Sequence, residues 1–215
     1  MKISKRLQKI AEMVKYPTVV DIGTDHAHLP IYMVENGLAI KVLATDVNPG
    51  PLASAGRNIV DSGPIAGRVS TRLCDGLDGI DPAEYEACVI SGMGGGLIIN
   101  IILQNIESSR GFKQLVLSPQ RDVGDMRRFL HQNSFRIDDE EMLEEKGMTY
   151  NILDVSPGYQ APYDEKGYIF GEVLLQKKPD TLKKFVQSEI KKVKKIGRIE
   201  FQKYLQLCEE VLNYL

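Results

Sequence analysis

The chain has 215 residues, is 43% hydrophobic and 26% charged, and carries a formal net charge of -2, which fits one α/β domain of about 150 residues plus an appendage and excludes wholesale disorder. No apolar run approaches the roughly 20 residues of a membrane span, and Met1 to Arg6 lacks the apolar stretch of a signal peptide, so a cytoplasmic protein is expected. Cys74, Cys88 and Cys208 are odd in number and form no CxxC, so they indicate neither a disulfide framework nor a thiolate zinc site.

The first apolar run, Thr18 to Ile22, reads as a buried parallel strand and leads into helical spacing from Leu29 to Glu35. A βα turn that brings its backbone close to a ligand needs glycine where a Cβ would collide, and only Gly23 supplies one. A dinucleotide fingerprint has three glycines and an uncharged strand end. Here the strand ends in Asp21, where a carboxylate can hold the loop and the ammonium of a methionine moiety; this favours S-adenosylmethionine (SAM) over NAD. The alternative for Asp21 is a purely structural loop cap. Asp25 lies on the same loop without a cofactor duty and is the candidate to face an acceptor, or else it braces the loop. His26 and His28 have no further ligand spaced near them, so no metal site is expected.

A second strand, Val42 to Thr45, precedes helical spacing from Pro51 to Val60. Asp46, 25 residues after Asp21, stands where a carboxylate can accept both hydroxyls of an adenosine ribose, with Val47 beside it among the cofactor contacts. The third strand, Val69 to Leu73, is followed by Cys74-Asp75-Gly76-Leu77. Asp75 and Gly76 are placed to reach the adenine amino group and Leu77 to cover the ring, although a DG pair alone is a turn. The fourth strand, Ala87 to Ile90, runs into Ser91-Gly92-Met93-Gly94-Gly95-Gly96 and a helix from Leu97 to Ile106. Met93 and Gly94 belong to a loop whose backbone amides, at a helix N-terminus, should face cofactor and substrate; the alternative is small residues for close packing. The fifth strand, Leu115 to Leu117, ends in Ser118-Pro119-Gln120 ahead of a helix from Val123 to Gln132. Gln120 falls at the carboxyl edge where open α/β sheets bind ligands. His131 reads as a solvated residue near that helix end.

Strand and helix thus alternate, the pattern of a doubly wound sheet. Phe135 to Leu143 and Met148 to Val155, joined by Glu144-Glu145-Lys146-Gly147, then predict a β-hairpin that finishes a mostly parallel sheet with an antiparallel edge strand. Pro and Gly between Ser156 and Asp180 predict a loop-rich connection with one short strand at Tyr168 to Gln176. From Thr181 onward the apolar spacing predicts two amphipathic helices folded as an antiparallel coiled-coil hairpin. The expected division is residues 1–156, a connection 157–180 and a helical hairpin 181–215. From Lys177 to Lys203 ten Lys or Arg face three acids. Lys191, Lys192, Lys194 and Lys195 are therefore candidates for phosphate contact, against the plainer reading of a solvated helix face.

Taken jointly, Ser4-Lys5-Arg6-Leu7, Asp21-Ile22-Gly23-Thr24-Asp25-His26-Ala27 with Leu29-Pro30, Gly50-Pro51 with Ser54-Ala55, Asp75-Gly76-Leu77, Gly92-Met93-Gly94-Gly95 and Leu143-Glu144-Glu145 with Gly147 and Tyr150 resemble the bacterial tRNA (adenine-22-N1)-methyltransferases. The resemblance implies a Rossmann-like SAM domain with a C-terminal helical coiled coil, SAM as cofactor, tRNA as partner, and methyl transfer to N1 of an adenine. His28 stands where the pattern has an aromatic Tyr, Ser118-Pro119-Gln120 replaces a Gln-Pro-Asn-like element, and the stretch from Asp154 onward is shorter; these departures bear on substrate contacts. On this reading Asp25 is the catalytic candidate, with His26 and Gln120 on the substrate side. An N6 acceptor is disfavoured, because Ser91-Gly92-Met93-Gly94 stands where an Asn or Asp followed by Pro-Pro-aromatic would be needed. The competing readings are a small-molecule methyltransferase whose C-terminal helices dimerise, an NAD-linked oxidoreductase, and a non-catalytic RNA-binding protein.

Overall fold

The computed structural model describes residues 1–215 and joins seven strands in one sheet: β1 (Thr18–Ile22), β2 (Lys41–Asp46), β3 (Val69–Leu73), β4 (Ala87–Ser91), β5 (Gln114–Ser118), β6 (Phe135–Glu145) and β7 (Met148–Pro157). Their order is β3-β2-β1-β4-β5-β7-β6. The first five are parallel, and β7 runs antiparallel to both β5 and β6. The antiparallel strand therefore lies one place in from the edge.

Side chains alternate across the pleat, and each face acquires its own core. Val19, Val42, Ala44, Val89 and Val116 pack under α1 (Lys5–Met13), α2 (His28–Glu35) and α3 (Pro49–Asp61). Val20, Ile22, Cys88, Ile90, Leu115 and Leu117 pack under α4 (Gly95–Gln104) and α6 (Val123–Gln132), with α5 (Ile106–Gly111) between those two helices in the chain. Covering both faces is what makes β1, β2, β4 and β5 read as apolar runs, whereas the edge strand β3 is mostly exposed. β1 lies between β2 and β4, so the chain winds away in opposite directions there. The carboxyl ends of β1 and β4 consequently flank a crevice.

Three stretches depart from the sequence-based expectation. Helix α1, with Ser4 accepting the Leu7 amide at 3.2 Å as its cap, was not anticipated: it is short and mostly polar, and buries only Ile10, Ala11 and Met13. The strand expected at Tyr168 to Gln176 is instead a π-helical turn, Gly167–Gly171, running into α7 (Glu172–Lys177). Phe170, Leu174 and Leu175 follow helical spacing and are buried against α8 (Asp180–Ile196) and α9 (Gln202–Tyr214), and the flanking glycines obscured that period. His131 is not a solvated residue: its ring nitrogens lie 3.1 Å from Tyr168 Oη and 3.0 Å from Gln160 Oε1, and partial burial lowers its pKa.

The last two helices pack on one another, and α9 folds back along α8, with Tyr204 donating to Glu189 at 3.1 Å and Lys178 to the Tyr214 carbonyl at 2.6 Å. Gly197, at φ +66°, ends α8 in the left-handed conformation that glycine tolerates. The turn that leads towards these helices is held to the sheet through a buried ion pair. Arg127 on α6 donates to Glu140 on β6 at 2.7 Å, and both side chains are 1% exposed. Arg127 also donates to the carbonyls of Tyr168 and Ile169 at 2.8 and 3.1 Å. The turn arches so closely over the pair that a Cβ at Gly171 (φ +92°) would lie 2.8 Å from Arg127 Nη2.

Candidate active site

Two chambers open at the carboxyl ends of the central strands, on either side of Gly23. The first, about 270 Å³, is lined by Arg6, Asp21, Gly23, Thr24, Asp25, Ser91, Gly92 and Gln120 among others. The second, about 240 Å³, is lined by Asp46, Val47, Asn48, Cys74, Asp75, Gly76, Met93, Leu97 and Ile101 with parts of β1 and β2. Gly23 has φ +74°, and a Cβ there would collide with Met93 Cε. The glycine is needed both for its backbone angle and for the passage of the Met93 side chain. The loop is pinned by the Gly23 and Thr24 amides, which donate to the Thr45 carbonyl at 2.9 and 2.7 Å.

Asp21 is buried at the end of β1. Burial pushes its carboxyl up to about 6, against the opposing pull of Thr24 and of the Arg6 guanidinium. Arg6 comes from α1, and its Nη1 is buried with no hydrogen-bond partner. Its placement depends on the far end of the chain: Glu145 at the hairpin turn accepts the Lys5 and Arg6 amides at 2.9 and 3.4 Å. Those bonds to the open end of a helix hold the Glu145 carboxyl below its ordinary range. Tyr150 adds a ring 5.5 Å from the guanidinium. One chamber thus holds a buried acid and an unpartnered cation.

In the second chamber Asp46 Oδ1 accepts the Asn48 amide at 2.7 Å, which leaves Oδ2 for a ligand. Val47 and Leu97 are 57% and 54% exposed and, with Met93 and Ile101, present apolar surface opposite the acids. Leu77 is not part of it. At 1% exposure it belongs to the core beneath α4, because the turn at Gly76 (φ +53°) directs the chain inward.

The remaining candidates divide. Asp25 reaches the first chamber and is highly exposed, with Oδ1 3.2 Å from His26 Nε2. His26 lines neither chamber; its carbonyl accepts from Asn58 at 2.9 Å and its ring stacks on His28. Gly94 also lies outside both chambers and packs against Arg121, whose Nε would be 3.0 Å from a Cβ there. The β4–α4 loop is stitched to the loop after β5 through Gln120 N to Met93 O at 2.9 Å and Gly95 N to Arg121 O at 3.2 Å. Gln120 lines the first chamber and also a cleft of about 720 Å³ beyond it, bounded by the hairpin turn and α8. Of the four lysines, Lys192 lines that cleft and pairs with Glu189 at 2.7 Å, Lys194 pairs with Glu209 at 2.8 Å, and Lys191 and Lys195 are exposed without ion pairs. Arg6 had no role assigned from sequence, and Ser91 and Gly92 entered only as part of the loop expected to face cofactor and substrate. The Ser4–Leu7 motif was the one available signal for Arg6.

A family model described as tRNA (adenine(22)-N(1))-methyltransferase matches residues 19–211. A Bacillus subtilis protein of that description is 37% identical over 194 residues, covering 87% of this chain and 81% of the relative. A Streptococcus pneumoniae structure in complex with S-adenosyl-L-methionine superposes with a TM-score of 0.92 at 31% identity, covering 98% of this chain and 100% of that one. An M. capricolum structure holding S-adenosyl-homocysteine gives a TM-score of 0.82 at 25% identity, covering 100% of this chain and 96% of that one.

Proposed function

The chain belongs to the tRNA (adenine(22)-N(1))-methyltransferase family, and from that premise we propose which residues hold the methyl donor, face the acceptor and grip the RNA. The enzyme is SAM-dependent and methylates N1 of adenine 22 in tRNA. A small-molecule acceptor, with the C-terminal helices serving dimerisation, is not favoured by that membership.

The residue assignment rests on the row of acids at the ends of β1, β2 and β3 beside the unpartnered Arg6 guanidinium. The amino-acid end of SAM carries one cation and one anion, and the first chamber offers Asp21 for the ammonium and Arg6 for the carboxylate. Asp46 accepts from the ribose hydroxyls, Asp75 and Gly76 meet the adenine edge, and Val47 and Met93 cover the ring. Gly94 supports this loop from behind.

When bound, SAM supplies a methyl group on a sulfonium. The chain's own task is alignment and exclusion of water, because adenine N1 attacks with a neutral lone pair and needs no base. Asp25 accepts a hydrogen bond from the exocyclic amine and offsets the positive charge that the ring acquires. His26 and Gln120 flank the entrance. Because N1 lies on the Watson–Crick edge, the target must be unpaired or extruded, and a separate grip on the RNA is needed. Residues 181–215, read as a coiled-coil hairpin appended to the donor domain 1–156 through 157–180, supply it with Lys191, Lys192, Lys194 and Lys195. A tRNA substrate fits a cytoplasmic activity.

Tritiated SAM offered with unmodified bulk tRNA and with a metabolite pool should label tRNA alone, and mass spectrometry should find the label on adenine 22. Label confined to the metabolites would overturn the reading. Asp25→Ala is expected to lower kcat roughly tenfold or more while SAM affinity is retained; an unchanged kcat would reduce Asp25 to a loop brace.

The elevated Asp21 carboxyl yields a pH prediction. Between the ordinary carboxylate range and about 6 the folded ligand-free protein holds a proton that the unfolded chain has released. Its stability therefore falls as pH rises through that window and levels off above it. An ammonium is bound by the ionised form, so SAM affinity should weaken below pH 6, approaching about tenfold per unit. Calorimetric titration on both sides of that value checks this, and Asp21→Asn should flatten the profile.

A further inference from the structure

The cleft beyond Gln120 is larger than either donor chamber, and the assignments above leave most of its lining without a task. Its walls are the hairpin turn, through Glu144, Met148, Thr149 and Tyr150, and one face of α8, through Thr181, Lys184, Phe185, Ser188 and Lys192. These α8 positions recur at helical spacing on the side away from Leu182, Val186, Ile190 and Val193, which are buried. Phe185 and Tyr150 are half-buried. Lys184 is exposed and makes neither an ion pair nor a hydrogen bond, whereas Lys192 is held by Glu189. Glu144 is the single acid in the lining, on the exposed hairpin turn.

Gln120 borders both this cleft and the chamber of Asp21 and Asp25, so the two are neighbours and a strand lying in the cleft can run on to the group receiving the methyl. We propose that the cleft is a second nucleotide subsite, which takes an unpaired nucleotide adjoining the target adenine, with its base on Phe185 and its phosphate on Lys184. The volume, about 720 Å³, lies within the range of roughly 300–1,000 Å³ typical of small-ligand sites. An aromatic ring with a free ammonium one residue away on the same wall is the pairing that holds single-stranded nucleic acid: stacking for the base and charge for the phosphate. Ser188 adds an exposed hydroxyl on the same helical face, while the Thr181 hydroxyl donates to the Met142 carbonyl at 2.9 Å and ties α8 to β6. The subsite holds the strand open beside the extruded adenine, so that binding energy from a neighbouring nucleotide helps to keep the target unpaired.

The proposal rests on the tRNA reading, and the experiment separates the two. Wild-type enzyme, Phe185→Ala, Phe185→Tyr, Lys184→Glu and Lys184→Arg are compared for binding of unmodified tRNA over a range of salt, for binding of SAM, and for kcat. Phe185→Ala and Lys184→Glu should each weaken tRNA binding roughly tenfold or more with SAM affinity unchanged. Lys184→Glu should also lower the salt slope by about 0.7. Phe185→Tyr and Lys184→Arg should restore binding. Phe185→Ala and Lys184→Glu variants that bind tRNA as wild type does, while wild type methylates tRNA, would overturn the subsite. Loss of SAM affinity in parallel with tRNA affinity would overturn it too, by exposing a general folding defect. A wild-type enzyme that fails to methylate tRNA would instead overturn the tRNA reading itself.

Discussion

Asp46→Ala should raise the dissociation constant for SAM by roughly two orders of magnitude while leaving kcat at saturating SAM close to wild type. The carboxylate sits at the end of β2 with Oδ1 already engaged by the Asn48 amide. The remaining acceptor capacity meets two hydroxyl donors, and hydrogen bonds to a charged partner contribute about 1.5–3 kcal/mol each. On the proposed assignment the ribose would lie in the second chamber, which does not include Asp25 and Gln120 of the first. Its loss is therefore uniform binding, equal in ground and transition states, and raises KM for SAM without slowing the chemical step. Asp46→Asn keeps an acceptor of the same shape and should lose about tenfold. Calorimetry with SAM and with S-adenosyl-homocysteine checks both. Equal affinities in wild type and Asp46→Ala would remove Asp46 from the cofactor site and leave it as the cap of its own turn.

Arg127→Met should destabilise the protein by about 3–5 kcal/mol, the usual cost of removing one partner from a buried ion pair. The substitution leaves Glu140 enclosed and takes donors from the carbonyls of Tyr168 and Ile169. Burial already pushes the Glu140 carboxyl up against the pull of Arg127. Without the guanidinium, the carboxyl should hold its proton to higher pH, so the deficit should deepen as pH rises through the raised folded value. Arg127→Met with Glu140→Met should recover the part of the loss that comes from the unpaired carboxylate, because two apolar chains need no partner, while the Tyr168 and Ile169 carbonyls still lack the Arg127 donor. Urea unfolding of the three proteins at two pH values measures this. A single variant as stable as wild type would show that the pair does not clamp the turn at Tyr168 and Ile169 to the sheet.

The sequence displayed the sheet well because β1, β2, β4 and β5 are buried on both faces, and because polar or small residues stand at or just after the strand ends. Asp21, Asp46 and Asp75 could be placed in register without knowing any contact. Arg6 could not, because its position depends on Glu145, 139 residues away, and no local pattern encodes that bond. The spacing on α8 showed which face is apolar, but not that the opposite face would meet the hairpin turn, so Lys184 and Phe185 stayed invisible while the denser lysine cluster further along attracted attention. Tyr168 to Gln176 misled for a different reason. Gly171, of a type that usually interrupts helices, is present there because the backbone must pass over Arg127 and Glu140, and Gly167 just before it lies against Tyr163 and Glu172.

The position of β7 also bears on how the protein is made. β5 gains its second neighbour only when Leu153, Asp154 and Val155 arrive to pair with Leu117, Val116 and Leu115. Until the ribosome has released that stretch, the nascent sheet ends at a strand whose every residue is destined for burial. Such an edge offers a row of unpaired amides and carbonyls to any passing strand. Chains truncated between β5 and β7 should therefore aggregate even though all five parallel strands are present, and co-translational holding of that edge should raise the yield of folded enzyme.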